Sequence, residues 1–128
     1  METIAKQLEA GNLYLLGSSI ENSSKEWNSH PVFIGVALKH LVTGAQTDGQ
    51  FSAHIVKVNP NCILDEHIHY GKTEMHEVVV GSGLFVMGSL ERKYLEGDMA
   101  IIPANTKHKV IAGNEGIYLL AKFVPALL

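Results

Sequence analysis

In His67-Ile68-His69-Tyr70-Gly71-Lys72-Thr73-Glu74, with Gly81 beyond it, two imidazoles stand two residues apart and a carboxylate follows five residues after the second. On a β-strand, positions i and i+2 project from one face, so both rings point the same way. The gap before Glu74 leaves room for a turn. A second segment, Gly97-Asp98-Met99-Ala100-Ile101-Ile102-Pro103-Ala104-Asn105-Thr106-Lys107-His108, supplies one more imidazole straight after a Pro-initiated turn. Three neutral nitrogens and one anionic oxygen suit a divalent first-row metal. The two segments predict that His67, His69, Glu74 and His108 converge on one ion.

Around these segments the chain reads as short strands with turn punctuation. Only residues 1–11 look helical: Ile4, Ala5 and Leu8 share a face, and Gly11 ends the run. Residues 12–128 are read as the barrel. Strands are predicted at 13–16, 32–42, 51–58, 62–69, 74–80, 84–90, 99–102, 108–112 and 117–124. The segment 22–28 is predicted as polar loop apart from Trp27. Gly81-Ser82-Gly83 reads as a tight hairpin, and Gly113-Asn114-Glu115-Gly116 as a break. Many short strands with Gly/Asn/Pro turns predict an all-β sandwich or barrel. A double-sheet jelly roll protects its edges within this length and leaves a cavity lined by alternate residues.

The chain has 128 residues, enough for one domain with a core that needs no disulfide. Hydrophobic residues at 46% and charged residues at 18% suit a compact chain. A net charge of −3 argues against nucleic acid or an anionic membrane as partner. Cys62 is the single cysteine, so no intramolecular disulfide forms, which fits a reducing interior. No apolar run nears the roughly 20 residues that cross a bilayer, and the first residues show no signal-peptide core. A cytoplasmic location is the expectation.

The two segments resemble the paired motifs of the cupin superfamily. The first of those motifs is Gly, five residues, His-x-His, three or four residues, Glu, six residues, Gly. His67, His69, Glu74 and Gly81 match it throughout, with Asn61 in the place of the leading Gly. The second is Gly, five residues, Pro-x-Gly, two residues, His, three residues, Asn. Gly97, Pro103 and His108 match, while Asn105 replaces the middle Gly and Ala112 the final Asn. Asn best tolerates φ > 0 among non-Gly residues, so the Gly-to-Asn changes are mild. The resemblance covers residues 61–112 and implies a double-stranded β-helix, or jelly-roll barrel. It also implies one divalent transition metal per chain: Fe, Mn, Ni, Co or Zn.

Four protein ligands around a six-coordinate ion leave two positions for water or substrate. Cupins with this ligand set include dioxygenases, decarboxylases of small carboxylic acids, and sugar or keto-acid isomerases. The resemblance therefore implies a metal-dependent oxidoreductase, lyase or isomerase acting on a small polar substrate. The alternative is a barrel that holds a metal or small ligand without chemistry. His76 follows Glu74 by two residues and is a candidate proton carrier on the same face. Glu77 faces the other way on a regular strand and takes that role only if the strand is irregular. His54 is a second candidate for the cavity lining; His30 and His40 read as loop and surface residues. Tyr70 is a candidate cover for the barrel mouth, and Lys72 reads as solvated. The apolar runs 123–128 and 13–16 would be costly to expose, which predicts a homodimer.

Overall fold

The computed structural model describes residues 3–128. One helix, α1 (Ile4–Ala10), precedes ten strands. These are β1 (Asn12–Leu15), β2 (Ser18–Glu21), β3 (Trp27–Ser29), β4 (Val36–Val42) and β5 (Ser52–Val58). They continue as β6 (Ile63–His67), β7 (Thr73–Met87), β8 (Leu90–Tyr94), β9 (Met99–Ile102) and β10 (His108–Val124). The all-β class with a short leading helix is as expected. Thr3 caps that helix, its hydroxyl accepting from the backbone N–H of Lys6 at 3.2 Å, and Gly11 follows its end. Residues 1 and 2 of the expected segment lie outside the described residues. No described helix is long and apolar enough to cross a membrane.

Two predicted breaks are not breaks. Gly81-Ser82-Gly83 lies inside β7, and Gly113-Asn114-Glu115-Gly116 inside β10. The glycines bend each strand instead of reversing it. Ala112 pairs with Gly83 and Ile117 with Gly81, so residues 113–116 bulge opposite Ser82. Gly81 has φ +83°, and a Cβ there would run into the carbonyl oxygen of Gly116. Only glycine fits this corner.

The bend divides both long strands between two layers. From Ile117 onward β10 pairs with β5 and with the first part of β7, which also pairs with β9; β3 and β4 extend this layer beyond β5. From His108 to Ala112, β10 pairs with β6 and with the later part of β7, which pairs with β8. All these pairings are antiparallel, the arrangement of a jelly roll. Alternate residues of β10 (Val110, Ala112, then Ile117, Leu119, Ala121 and Phe123) point into the core between the layers. Burying a large apolar side chain of this kind contributes about 1.5–3 kcal/mol, so this row anchors both sheets at once.

Other boundaries shift for identifiable reasons. Strand character predicted from residue 32 begins only at Val36, because Pro31 and the positive φ of Gly35 hold 31–35 in turns. Trp27, expected in loop, opens β3, its ring covered by the ammonium groups of Lys39 and Lys57 at 5.7 and 5.0 Å. The stretch 84–90 is cut by a turn at Gly88 (φ +57°), which makes the β7–β8 hairpin. Gly17 likewise turns β1 into the unpredicted β2.

Candidate metal centre

The four residues come from three strands and the segment that follows the first of them. His67 ends β6, His69 stands in the turn that follows, Glu74 is the second residue of β7, and His108 opens β10. Register does much of the work: His108 pairs directly with His67, while Glu74 is flanked by Phe123 and Ile102. Asn105 joins the two segments. With φ +66° its N–H donates to the His69 carbonyl at 3.1 Å, and its Oδ1 accepts from the Gly71 N–H at 3.0 Å. Asn61 also adopts positive φ, at 60°, so both asparagines take the conformation that the resemblance assigns to glycine.

One donor atom from each of His67, His69, Glu74 and His108 falls within a 4.8 Å span. The ring centroids lie 4.1 Å apart for His67 and His108, 4.8 Å for His67 and His69, and 5.4 Å for His69 and His108. Nδ1 of His67 is 2.7 Å from the Asp65 carbonyl, and Nδ1 of His108 is 2.9 Å from the Thr106 carbonyl. A carbonyl oxygen only accepts, so Nδ1 carries the proton in both rings. In the neutral rings Nε2 then presents a lone pair.

Nε2 of His108 stands 3.1 Å from Oε1 of Glu74, and Nε2 of His69 is 3.6 Å from the same oxygen. Glu74 and His108 are buried, and neither of those two atoms has a hydrogen-bond partner. In neutral His108 the two atoms are both acceptors. Only a proton or a cation between them makes that proximity favourable. Desolvation pushes the Glu74 carboxyl up, but the His108 side chain and the neighbouring imidazoles outweigh it and hold the group below the ordinary range. Burial lowers His67, and brings His69 down to about 4 despite the opposing charge of Glu74. Both rings therefore stay neutral, the form in which imidazole is a ligand. The residues fit a divalent ion, and the cluster could hold one.

No family model matches the sequence, and no curated protein matches it. Solved structures do. KdgF from Halomonas sp. is 21% identical with a TM-score of 0.70, covering 81% of this chain and 91% of that one. The chain has the cupin fold. A predicted oxalate decarboxylase from Thermotoga maritima is 21% identical at a TM-score of 0.71, with 79% and 91% covered. An RmlC-like cupin from Shewanella frigidimarina is 17% identical at 0.70, with 82% and 87% covered. Within this cupin fold three of the four donor residues line a cavity of about 160 Å³, together with His30, Leu38, Val56, Leu64, Phe123 and Leu127. His67, His69 and Glu74 are on its wall, and His108 is buried outside the lining.

The remaining candidates are placed as follows. His76 is buried and does not line this cavity. The Tyr94 hydroxyl donates to the His76 carbonyl at 3.3 Å, so Nδ1–H of His76 donates to the Tyr94 oxygen at 2.6 Å. Nε2 of His76 is left buried without a partner. Glu77 faces the other side of β7 and receives Lys122 Nζ at 2.8 Å. His54 is fully buried between His40 and Ser52. Tyr70 is exposed, and Lys72 is tied to the Ala126 carbonyl at 2.7 Å instead of being free in solvent. The sequence reading missed His30 and Leu127 as cavity residues. Each reaches the cavity from a segment far from both motifs, and no local spacing signals it.

Proposed function

We propose that this chain is a divalent-metal cupin that acts on a small oxygen-bearing molecule in the 160 Å³ cavity. The observation that carries this is the unpartnered, buried contact of Glu74 Oε1 with His108 Nε2, beside two further neutral imidazoles. A bound divalent ion would supply Lewis acidity or an oxygen-binding position. The chain's own contribution is orientation. The carbonyls of Asp65 and Thr106 fix the tautomers of His67 and His108, and Asn105 holds the His69 turn. Phe123, packed 4.7 Å from the His69 ring, excludes water from one side.

Elemental analysis after stripping and reloading tests this. One equivalent of metal is expected on the wild type, and at least tenfold weaker binding on Glu74→Gln or His108→Ala. Equal loading of wild type and variants would refute it. A non-catalytic ligand-binding barrel is the second reading. It is favoured by the cavity wall, where His30 is the one titratable group besides the donor residues, while His76 is engaged by Tyr94. Turnover by metal-loaded protein favours the enzyme; ligand retained through purification without product favours the barrel.

A further inference from the structure

The wall of the metal cavity is chemically one-sided. Beyond the donor residues it consists of Leu38, Val56, Leu64, Phe123 and Leu127, with His30 as the one other polar side chain. Neither lysine nor arginine is among these residues. A divalent ion with the Glu74 carboxylate leaves a net charge of +1. A monoanionic ligand cancels it. A dianion would leave an uncompensated negative charge in a largely apolar enclosure, which is strongly unfavourable.

His30, which lines the cavity, supplies one donor. Its Nδ1 accepts from the backbone N–H groups of Val32 and Phe33, each at 3.1 Å, so the neutral ring carries its proton on Nε2. The ring is held flat against Phe33 at 4.5 Å, and Phe33 in turn lies 5.9 Å from His67. The cavity is smaller than the several hundred cubic ångströms of a drug-sized site, and holds about five water-sized groups.

We propose that the site takes a small monoanion with an apolar body, a short-chain monocarboxylate or an enolate of similar shape, and that His30 donates to its head group. This rests on the metal reading of His67, His69, Glu74 and His108, and narrows it. Leu38, Val56, Leu64 and Leu127 receive the hydrocarbon part. Sugars and dicarboxylates, whose second polar group would meet leucine and valine, are excluded by the same wall.

Cobalt(II)-loaded protein provides the test, with the visible spectrum as readout during titration with acetate, butanoate, octanoate, 4-hydroxybutanoate and succinate. Affinity is expected to rise about fourfold per methylene from acetate to butanoate, and to rise no further by octanoate. Succinate and 4-hydroxybutanoate, matched to butanoate in length, are expected to bind at least tenfold more weakly than it does. His30→Ala should weaken butanoate about fivefold with cobalt uptake unchanged, and His30→Gln, which keeps a donor, should restore most of that. Leu127→Lys should move the preference toward succinate. If cobalt does not bind, the metal reading and this inference both fall. If cobalt binds but succinate matches butanoate, or the acetate-to-butanoate series is flat, the inference alone is overturned; unchanged butanoate affinity in His30→Ala overturns the role of His30.

Discussion

His54 shows how one buried ring sets a pH dependence. Its Nδ1 is 2.7 Å from Nδ1 of His40, and its Nε2 is 2.7 Å from the Ser52 hydroxyl, which accepts the Leu127 N–H at 2.8 Å. In either neutral tautomer one nitrogen of His54 donates and the other accepts, and the Ser52 hydroxyl can serve Nε2 in both roles. The contact between the two Nδ1 atoms holds a single proton, and a proton on both would place two donors face to face. Burial first, then the His40 charge, lowers His54 to about 4, against a weaker opposing pull from Glu74. The unfolded ring takes its proton near 6.5, the folded ring only near 4. Between those values the unfolded state binds more protons, so stability falls as pH drops through the window, by about 3 kcal/mol in all, and is unaffected by this ring above it. Urea unfolding at pH 7.5 and 4.5 checks it. Wild type should lose about 2 kcal/mol more than His54→Leu over that interval; equal losses would contradict it.

At the level of elements, the corner in β7 and β10 creates two layers from one continuous ladder. Gly81→Ala combines a positive φ with a collision against the Gly116 carbonyl, and should cost more than about 2 kcal/mol. Gly88→Ala is the control, with positive φ but open space around the added carbon, and should cost only about 1 kcal/mol. Urea midpoints measure both, and equal costs would refute the steric argument. The same corner explains where sequence reading stops. His67, His69, Glu74 and His108 were legible because ligand chemistry needs particular residue types at particular offsets. Asn61 and Asn105 were legible because few residues accept φ > 0. Gly81-Ser82-Gly83 was misread because glycine pairs serve hairpins and bulges alike, and only the partner strand distinguishes them. β3 was missed because its three residues gain strand character from pairing with β4, not from their own pattern.

Across the whole molecule, the apolar residues behind the expected dimer have partly different uses. The tail beyond Phe123 folds back on its own chain: the Ala126 N–H donates to Gly49, the Leu127 N–H to Ser52, and the Leu127 side chain lines the cavity. Residues 13–16 alternate between half-buried and exposed, and the β1–β2 hairpin pairs with no other strand among the described residues. Tyr14 and Leu16 stay exposed on that hairpin, as do Val124 and Leu128 in the tail, and these are the remaining basis for a homodimer. Sedimentation at micromolar concentration should give twice the chain mass of 14.0 kDa, and Leu16→Lys should halve it; a wild-type monomer would contradict this. The dimer is secondary to the centre itself. X-ray absorption of protein reloaded with one equivalent of zinc(II) tests the centre most directly. The account predicts a first shell with three imidazoles and a carboxylate oxygen, reduced to two imidazoles in His108→Ala. A shell dominated by water, or one that His108→Ala leaves unchanged, would contradict it.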